Sequence, residues 1–263
     1  MHIAGILISL IIGIVLGLVG GGGSILTVPL VHYFFDISMY LSTTYSLFVV
    51  AIAASMGVIQ GVRENQIDFR KGVLFVIPSM AVAFCIRAFI MPIIPNSFWL
   101  GELELTRDII ITVLLIFVMF YIGFKTLFAV RTPSSKTSSV TVIVLFGVVT
   151  GALSGFIGAG GGFIIVPILL RMGMNMQRAV GTSLFIIMVQ SGVALIGDFT
   201  TNEIMDQGGI NWPILLSITA ATVVGVYFGN RLQQKMTGTI LRKIFSVLIL
   251  MVAIGLVLKL VLN

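Results

Sequence analysis

Eight apolar runs, separated by short polar loops, fill nearly the whole chain: near 3–35, 41–60, 72–94, 108–130, 140–172, 179–197, 210–230 and 240–262. A membrane-crossing helix needs about 20 mostly apolar residues, so each run is long enough to span a bilayer. Only 9% of the 263 residues are charged, against 58% apolar, whereas soluble domains carry roughly a quarter charged. Too little polar material remains to coat a water-soluble globule, and lipid must be the solvent. The expected fold is all-α, a polytopic transmembrane helical bundle. Its net charge of +6 then reports loop topology rather than affinity for nucleic acid. Met1 to Gly5 lack the cationic stretch of a secretory signal, so the first run reads as retained. Cys85 is the only cysteine, which rules out an internal disulfide.

The chain also repeats itself. Gly13, Gly17, Gly20, Gly22, Gly23, Val28 and Pro29 recur 138 positions later as Gly151, Gly155, Gly158, Gly160, Gly161, Val166 and Pro167. Ser46-Leu47-Phe48 recurs as Ser183-Leu184-Phe185, and Val82-x-Phe84-x-x-Arg87 resembles Val226-x-Phe228-x-x-Arg231. Because the order of matches is kept, residues 1–130 and 140–263 read as two repeats of four hydrophobic segments, joined by a polar linker at 131–139. Such internal symmetry is common in transporters.

Runs 3–35 and 140–172 are too long for one crossing: as continuous helices they would reach about 50 Å, against a hydrocarbon core of about 30 Å. Both are broken by glycines. If all eight runs crossed fully, the 15 Lys and Arg would divide seven against eight between the two faces. If the two long runs instead dip in and return, twelve fall on one face and only Arg87, Arg107 and Lys259 on the other. That is the asymmetry the positive-inside rule demands. Seven of the nine acids, all but Glu64 and Asp68, join the three. The reading is therefore of two inverted repeats with Gly-broken re-entrant helices, in a cytoplasmic (inner) membrane, with both termini outside.

In that topology the tips Gly20-Gly21-Gly22-Gly23-Ser24 and Gly158-Ala159-Gly160-Gly161-Gly162 meet near mid-membrane. Irregular backbone at that depth is tolerated only against protein or a watery cavity. A helix restarts after each tip, near Ile25 and Phe163, and its first N–H groups lack intrahelical partners while its dipole presents partial positive charge. Two such ends facing one cavity form an anion site without a buried Lys or Arg. Candidate ligands are Gly20, Gly21, Gly22, Gly23, Ser24, Ile25, Gly158, Gly160, Gly161, Gly162 and Phe163. Thr44 and Ser46, with Thr43 beside them, and their repeat partners Thr182 and Ser183 are expected to line the cavity, although such hydroxyls also bond their own backbone. Gln190 and Ser191 lie mid-span, where either substrate or interhelical bonding would satisfy them. Gly13, Gly17, Gly151 and Gly155 have the spacing of close helix packing. Arg87 is expected to snorkel to the outer interface, Asp36 and Asp198 to be interfacial charges, and Cys85 to be a packing residue.

At the glycine clusters, with Val28-Pro29-Leu30 and Val166-Pro167-Ile168 after them, the sequence resembles the sulfite exporter TauE/SafE family, also called the toluene sulfonate uptake permease family. Gly181-Thr182-Ser183-Leu184 and Gly225-Val226-Tyr227-Phe228-Gly229-Asn230-Arg231-Leu232 carry the same likeness. The resemblance implies transport of sulfite, thiosulfate, organosulfonates or related small anions. It leaves open which anion, the direction, a coupling proton or ion, and the oligomer. The stretch Arg87–Arg107, with Pro92, Pro95 and Trp99, departs from the repeat.

The function expected is secondary transport of a small anion, with no cofactor, metal or catalytic residue and with the lipid bilayer as partner. An anion channel is the alternative. An intramembrane enzyme is a weaker one, since neither H-E-x-x-H nor G-x-S-x-G occurs, and no G-x-x-x-x-G-K-[ST] phosphate loop is present.

Overall fold

A computed structural model describes residues 2–95, 97–100, 103–127, 140–233, 236 and 238–262. The linker at 131–139 lies outside them. Helices form over the apolar runs, and polar residues set their starts. Ser38, Asp68 and Asn175 each accept the amide three residues on, from Leu41, Lys71 and Arg178, at 3.3, 3.1 and 2.9 Å. This is side-chain N-capping. The capped helices are α3 (Met39–Arg63), α4 (Phe69–Cys85) and α8 (Met176–Phe199). With α5 (Arg107–Leu127), α6 (Val140–Ile157) and α10 (Trp212–Gln233), and with α4 extended to Ile93, they make six helices long and apolar enough to cross a membrane. Phe89, Phe117 and Leu145 are at least 60% exposed on their outer faces, as lipid contact requires. The chain is a multi-pass helical membrane protein.

Both glycine-rich runs break where expected. The first gives α1 (His2–Val19), a short 3₁₀ turn at Gly22–Leu26, and α2 (Thr27–Phe35); the second gives α6 followed by α7 (Gly162–Arg171). The packing register fixes their directions. A Cβ on Gly5, near the start of α1, would fall 2.6 Å from Phe35 Cζ and 3.2 Å from Phe34 Cβ, at the end of α2. The first run thus returns to the end it left. For the second, α6 lies parallel to α4, with Gly147 against Phe75 and Pro78, Gly151 against Ser79, and Gly155 against Ala83 and Ile86. Helices α3 and α8 are antiparallel: Thr44 meets Asp198 and Gly61 meets Gly181. Gly181 abuts Gln66 in the loop that precedes α4, so α6 and α8 start at the same end and α7 must turn back.

Helix α1 takes its main partner from the other half. It lies parallel to α10, with Gly13 on Thr222, Gly17 on Val226 and Asn230, and Gly225 and Gly229 on the carbonyls of Leu10 and Ile14. Glycine at four-residue spacing on both helices lets the backbones touch, as the spacing of Gly13 and Gly17 implied. Gly229→Leu is expected to drive α10 off α1, because a Cβ there would overlap the Ile14 carbonyl oxygen. Overpacking of this kind costs about 1–3 kcal/mol or more, which a lowered melting temperature in detergent would register. Unchanged melting would contradict the register given above.

Between α4 and α5 the chain departs from its repeat. Helix α4 ends in a π turn at Ile86–Ile90 and a 3₁₀ turn at Met91–Ile93. A two-stranded antiparallel hairpin follows, β1 (Ser97–Leu100) and β2 (Leu103–Thr106), with Ser97 opposite Thr106. The other half has instead the single-turn α9 (Glu203–Asp206) before α10; α11 (Gly238–Leu262) ends the chain and packs on α5.

Candidate functional site

The two glycine tips touch in the interior. Gly20 and Gly21 adopt φ of 68° and 96°, and Gly158, Gly160 and Gly161 adopt 72°, 61° and 66°. This left-handed region is costly for any residue with a Cβ. A Cβ on Gly162 would lie 2.5 Å from both Cα and C of Gly21, so the backbones are in contact. The Ser24 hydroxyl stands 2.6 Å from the Gly21 carbonyl oxygen and within bonding range of the Ala159 carbonyl of the other tip; its single proton serves one of the two. Ser183 Oγ is placed likewise, 2.6 Å from the Gly20 carbonyl and 2.8 Å from its own Val180 carbonyl.

The left-handed Gly161 caps α7, which begins at Gly162. Among the described residues, none accepts a hydrogen bond from the amides of Gly160, Gly161 or Gly162. These are the unpaired donors a helix start leaves. The first tip differs from expectation. Its amides open a 3₁₀ turn at Gly22 rather than an α-helix near Ile25, and the α-helix starts only at Thr27. The Ser24 amide is spent on the Gly21 carbonyl. Only the second tip presents a regular helix N-terminus.

A second correction concerns the cavity. The tips lie against one another instead of facing across a gap. Ile187 covers the joint: its Cδ1 occupies the place a Cβ on Gly21 would take, and stands 2.5 Å from the place of one on Gly162. A narrow cleft opens at the α3 end and α8 start, lined by Gln60, Glu64, Gln66, Asn230 and Gln233 and by Val180, which packs on Gly20. Asn230 Nδ2 donates to Gln60 Oε1 across it at 2.7 Å.

Of the hydroxyls expected at the site, Ser183 reaches a tip carbonyl directly, whereas Thr44 and Thr182 are bonded elsewhere. Thr44 donates to Asp198 at 2.8 Å, and Thr182 accepts the Asp68 amide at 2.9 Å; each ties a helix end together. Ser46 is fully buried one turn beyond Thr43, whose backbone and Cβ pack on Gly158. Gln190 Nε2 lies beside Gly161 and donates to the Thr150 carbonyl at 3.4 Å, while its Oε1 accepts from Ser79. That bridges α4, α6 and α8. Ile25 is fully buried in the apolar core; the Phe163 side chain is outside the described set.

Four buried hydroxyls near the tips, those of Thr27, Ser46, Ser154 and Ser191, have no hydrogen-bond partner among the described residues. Ser191 Oγ would be 2.9 Å from a Cβ on Gly160, and Ser154 gives its carbonyl to the Gly158 amide. Unsatisfied buried polar atoms are rare and call for an explanation. Thr27, Ser154 and the covering Ile187 escape a reading of the sequence, because no repeat partner or polar spacing singles them out.

Arg87 contradicts its expected place. It does not reach an interface but is fully buried, with Nη1 3.2 Å from Asp198 Oδ2, and Asp198 is equally buried. Arg107 is buried beside it and pairs with Glu203 at 2.6 Å. The guanidinium groups of Arg87 and Arg107 both lie over the ring of Tyr40, 5.8 and 4.5 Å from its centre. Cys85 is exposed on the outer surface of the bundle.

Comparison with known proteins agrees with this architecture. The probable membrane transporter protein YdhB of Bacillus subtilis is 26% identical over 90% of this chain and 92% of its own length. A probable membrane transporter protein of Haemophilus influenzae is 27% identical over 97% of both chains, and one of Methanocaldococcus jannaschii is 26% identical over 92% of this chain and 90% of its own. No solved structure matches the chain significantly. The family profile described as Sulfite exporter TauE/SafE covers residues 5–256, both glycine tips included, and the protein is thus a membrane transporter belonging to the TauE/SafE family.

Proposed function

We propose that the protein is a secondary transporter of a small oxyanion, a sulfur-containing one such as sulfite, thiosulfate or an organosulfonate, bound where the two glycine tips meet. The observation that carries this reading is the turn Gly160-Gly161-Gly162, left-handed at its first two residues, whose buried amides have no acceptor among the described residues. A helix start of this kind favours anions through its N–H groups and its dipole. The unpartnered hydroxyls of Ser46 and Ser191 add donors of the type a sulfonate or sulfite oxygen accepts. With the tips in contact, the molecule stands closed around the site, which favours a carrier that parts the tips over an open channel.

We further propose that the halves are inverted repeats, in a cytoplasmic membrane with both termini outside. Reciprocal packing supports this. Helix α1 runs parallel to α10, the third segment of the second half, and α6 runs parallel to α4, the third of the first, while α3 and α8 cross antiparallel. Such repeats rock around a mid-membrane site. Reconstituted protein should take up labelled sulfite, thiosulfate or methanesulfonate saturably, each competing with the others. Absence of flux for all three would refute the reading.

A further inference from the structure

Arg87 is the largest side chain fully buried in the described structure, and it uses only part of its hydrogen-bonding capacity. Nη1 alone reaches Asp198, at 3.2 and 3.3 Å from the two carboxylate oxygens. Nε and Nη2 are buried with no partner among the described residues. Those two nitrogens form the side edge of the guanidinium, whose parallel N–H groups match two oxygens of a carboxylate, sulfonate or phosphate. Leaving charged donors unsatisfied in a dry interior is expensive. Local construction nevertheless keeps them there. Arg87 sits in the π turn that ends α4, a feature frequent at functional sites. Gly197 lets α8 press against that turn, with a Cβ position only 2.9 Å from Arg87 Cβ. The fork also lies near the tips, since Thr44 bonds Asp198 while its neighbour Thr43 packs on Gly158.

We propose that the Nε–Nη2 edge of Arg87 is a second oxyanion site between the tips and the α3-start face, and that Asp198 takes up a proton when the anion binds. The proposal rests on the oxyanion-transporter reading and names its coupling device. As it stands, the Arg87–Asp198 pair is neutral. A singly charged oxyanion on Arg87 would leave one net negative charge buried, a costly state within a membrane. Protonation of one Asp198 oxygen restores neutrality: an O–H bond forms, the ion pair with Arg87 is given up, and Arg87 pairs with the anion instead. Nothing is oxidised or reduced. The groups facing Asp198 are suited to this exchange. From α3, Thr44 Oγ1 and Tyr40 OH donate to it at 2.8 and 3.4 Å, and either can turn to donate to the anion. Behind Tyr40, Arg107 is matched by Glu203, and Asp108 is held by the amides of Met39 and Tyr40 at 3.1 and 3.2 Å.

The test uses the full-length protein in weakly buffered detergent. Methanesulfonate and thiosulfate stay ionised near neutral pH, so any proton movement belongs to the protein. An anion that raises the melting temperature should draw about one proton per bound monovalent anion from the bath, as charge balance requires. In vesicles, each coupled proton should concentrate the anion about tenfold per unit of pH gradient. The double substitution Arg87→Gln/Asp198→Asn removes both charges together, strands neither, and should abolish proton uptake. If that variant does not fold, infrared difference spectra of the wild type decide: a protonated-carboxyl band induced by the anion supports the proposal, and its absence overturns it. Anion binding without proton uptake overturns the proposal, as does uptake that survives in the double variant. If no oxyanion binds at all, the transporter reading fails first and carries this one with it.

Discussion

Replacing Gly162 by alanine should cost the protein both its stability and its transport. The added methyl would stand 2.5 Å from Cα and C of Gly21 and 2.5 Å from Ile187 Cδ1. Ile187 can rotate away, but the Gly21 backbone cannot, so one tip must withdraw. Overpacking costs about 1–3 kcal/mol in ordinary cores, and a backbone-to-backbone clash belongs at or above the top of that range. A melting temperature lowered by several degrees and uptake reduced at least about tenfold are expected, the latter corresponding to some 1.4 kcal/mol. Gly162 is not in the left-handed region, so its substitution isolates the contact from backbone strain. Gly173→Ala is the matched control. Its φ is +80° but nothing lies within 4 Å of the added carbon, and the left-handed penalty alone is about 1–2 kcal/mol. Equal melting and transport in Gly162→Ala and the wild type would mean that the tips do not touch.

Asp198→Ala should be the most damaging single change among the charged residues. It removes the only carboxylate bonded to Arg87 among the described residues and leaves a buried guanidinium without a counter-charge. Breaking a buried pair from one side costs about 3–5 kcal/mol, whereas replacing both partners by apolar residues of similar size is often neutral. Arg87→Met/Asp198→Leu should therefore recover most of the melting temperature lost in Asp198→Ala, while Thr44 and Tyr40 still lose their acceptor. The loss should persist in high salt, since buried pairs are weakly screened. A double variant as unstable as the single one would show that the damage is not electrostatic.

The re-entrant hairpins are legible in the sequence because two independent signals agree. Length excess locates the breaks, and the distribution of Lys and Arg requires the chain to return; Gly5 against Phe34 and Phe35 is the outcome. Close packing by Gly13, Gly17, Gly151 and Gly155 is legible too, from spacing alone. Depth along a helix is harder to read. Analogy with Arg231, which is indeed exposed, sends Arg87 to the interface. The analogy breaks because Arg87 sits in a π turn against which α8 packs at Gly197 and Asp198, and that packing buries what would otherwise be a rim residue. Thr44 and Thr182 do not touch the tips, for a related reason. Their residue type fits a polar cavity, but each lies one position off the face that meets a tip, and a single residue turns a helix by about 100°.

The exchange of partners between halves has a consequence for biogenesis. The ribosome releases α1 long before the surface that α1 fits, on α10, which begins only at Trp212. Helix α6, by contrast, docks on α4, made before it. Until α10 has been made, the hairpin of α1 and α2 must wait in lipid or under a membrane chaperone with its glycine groove unfilled. Neither half contains a finished interior of its own, so each completes its packing only with helices of the other.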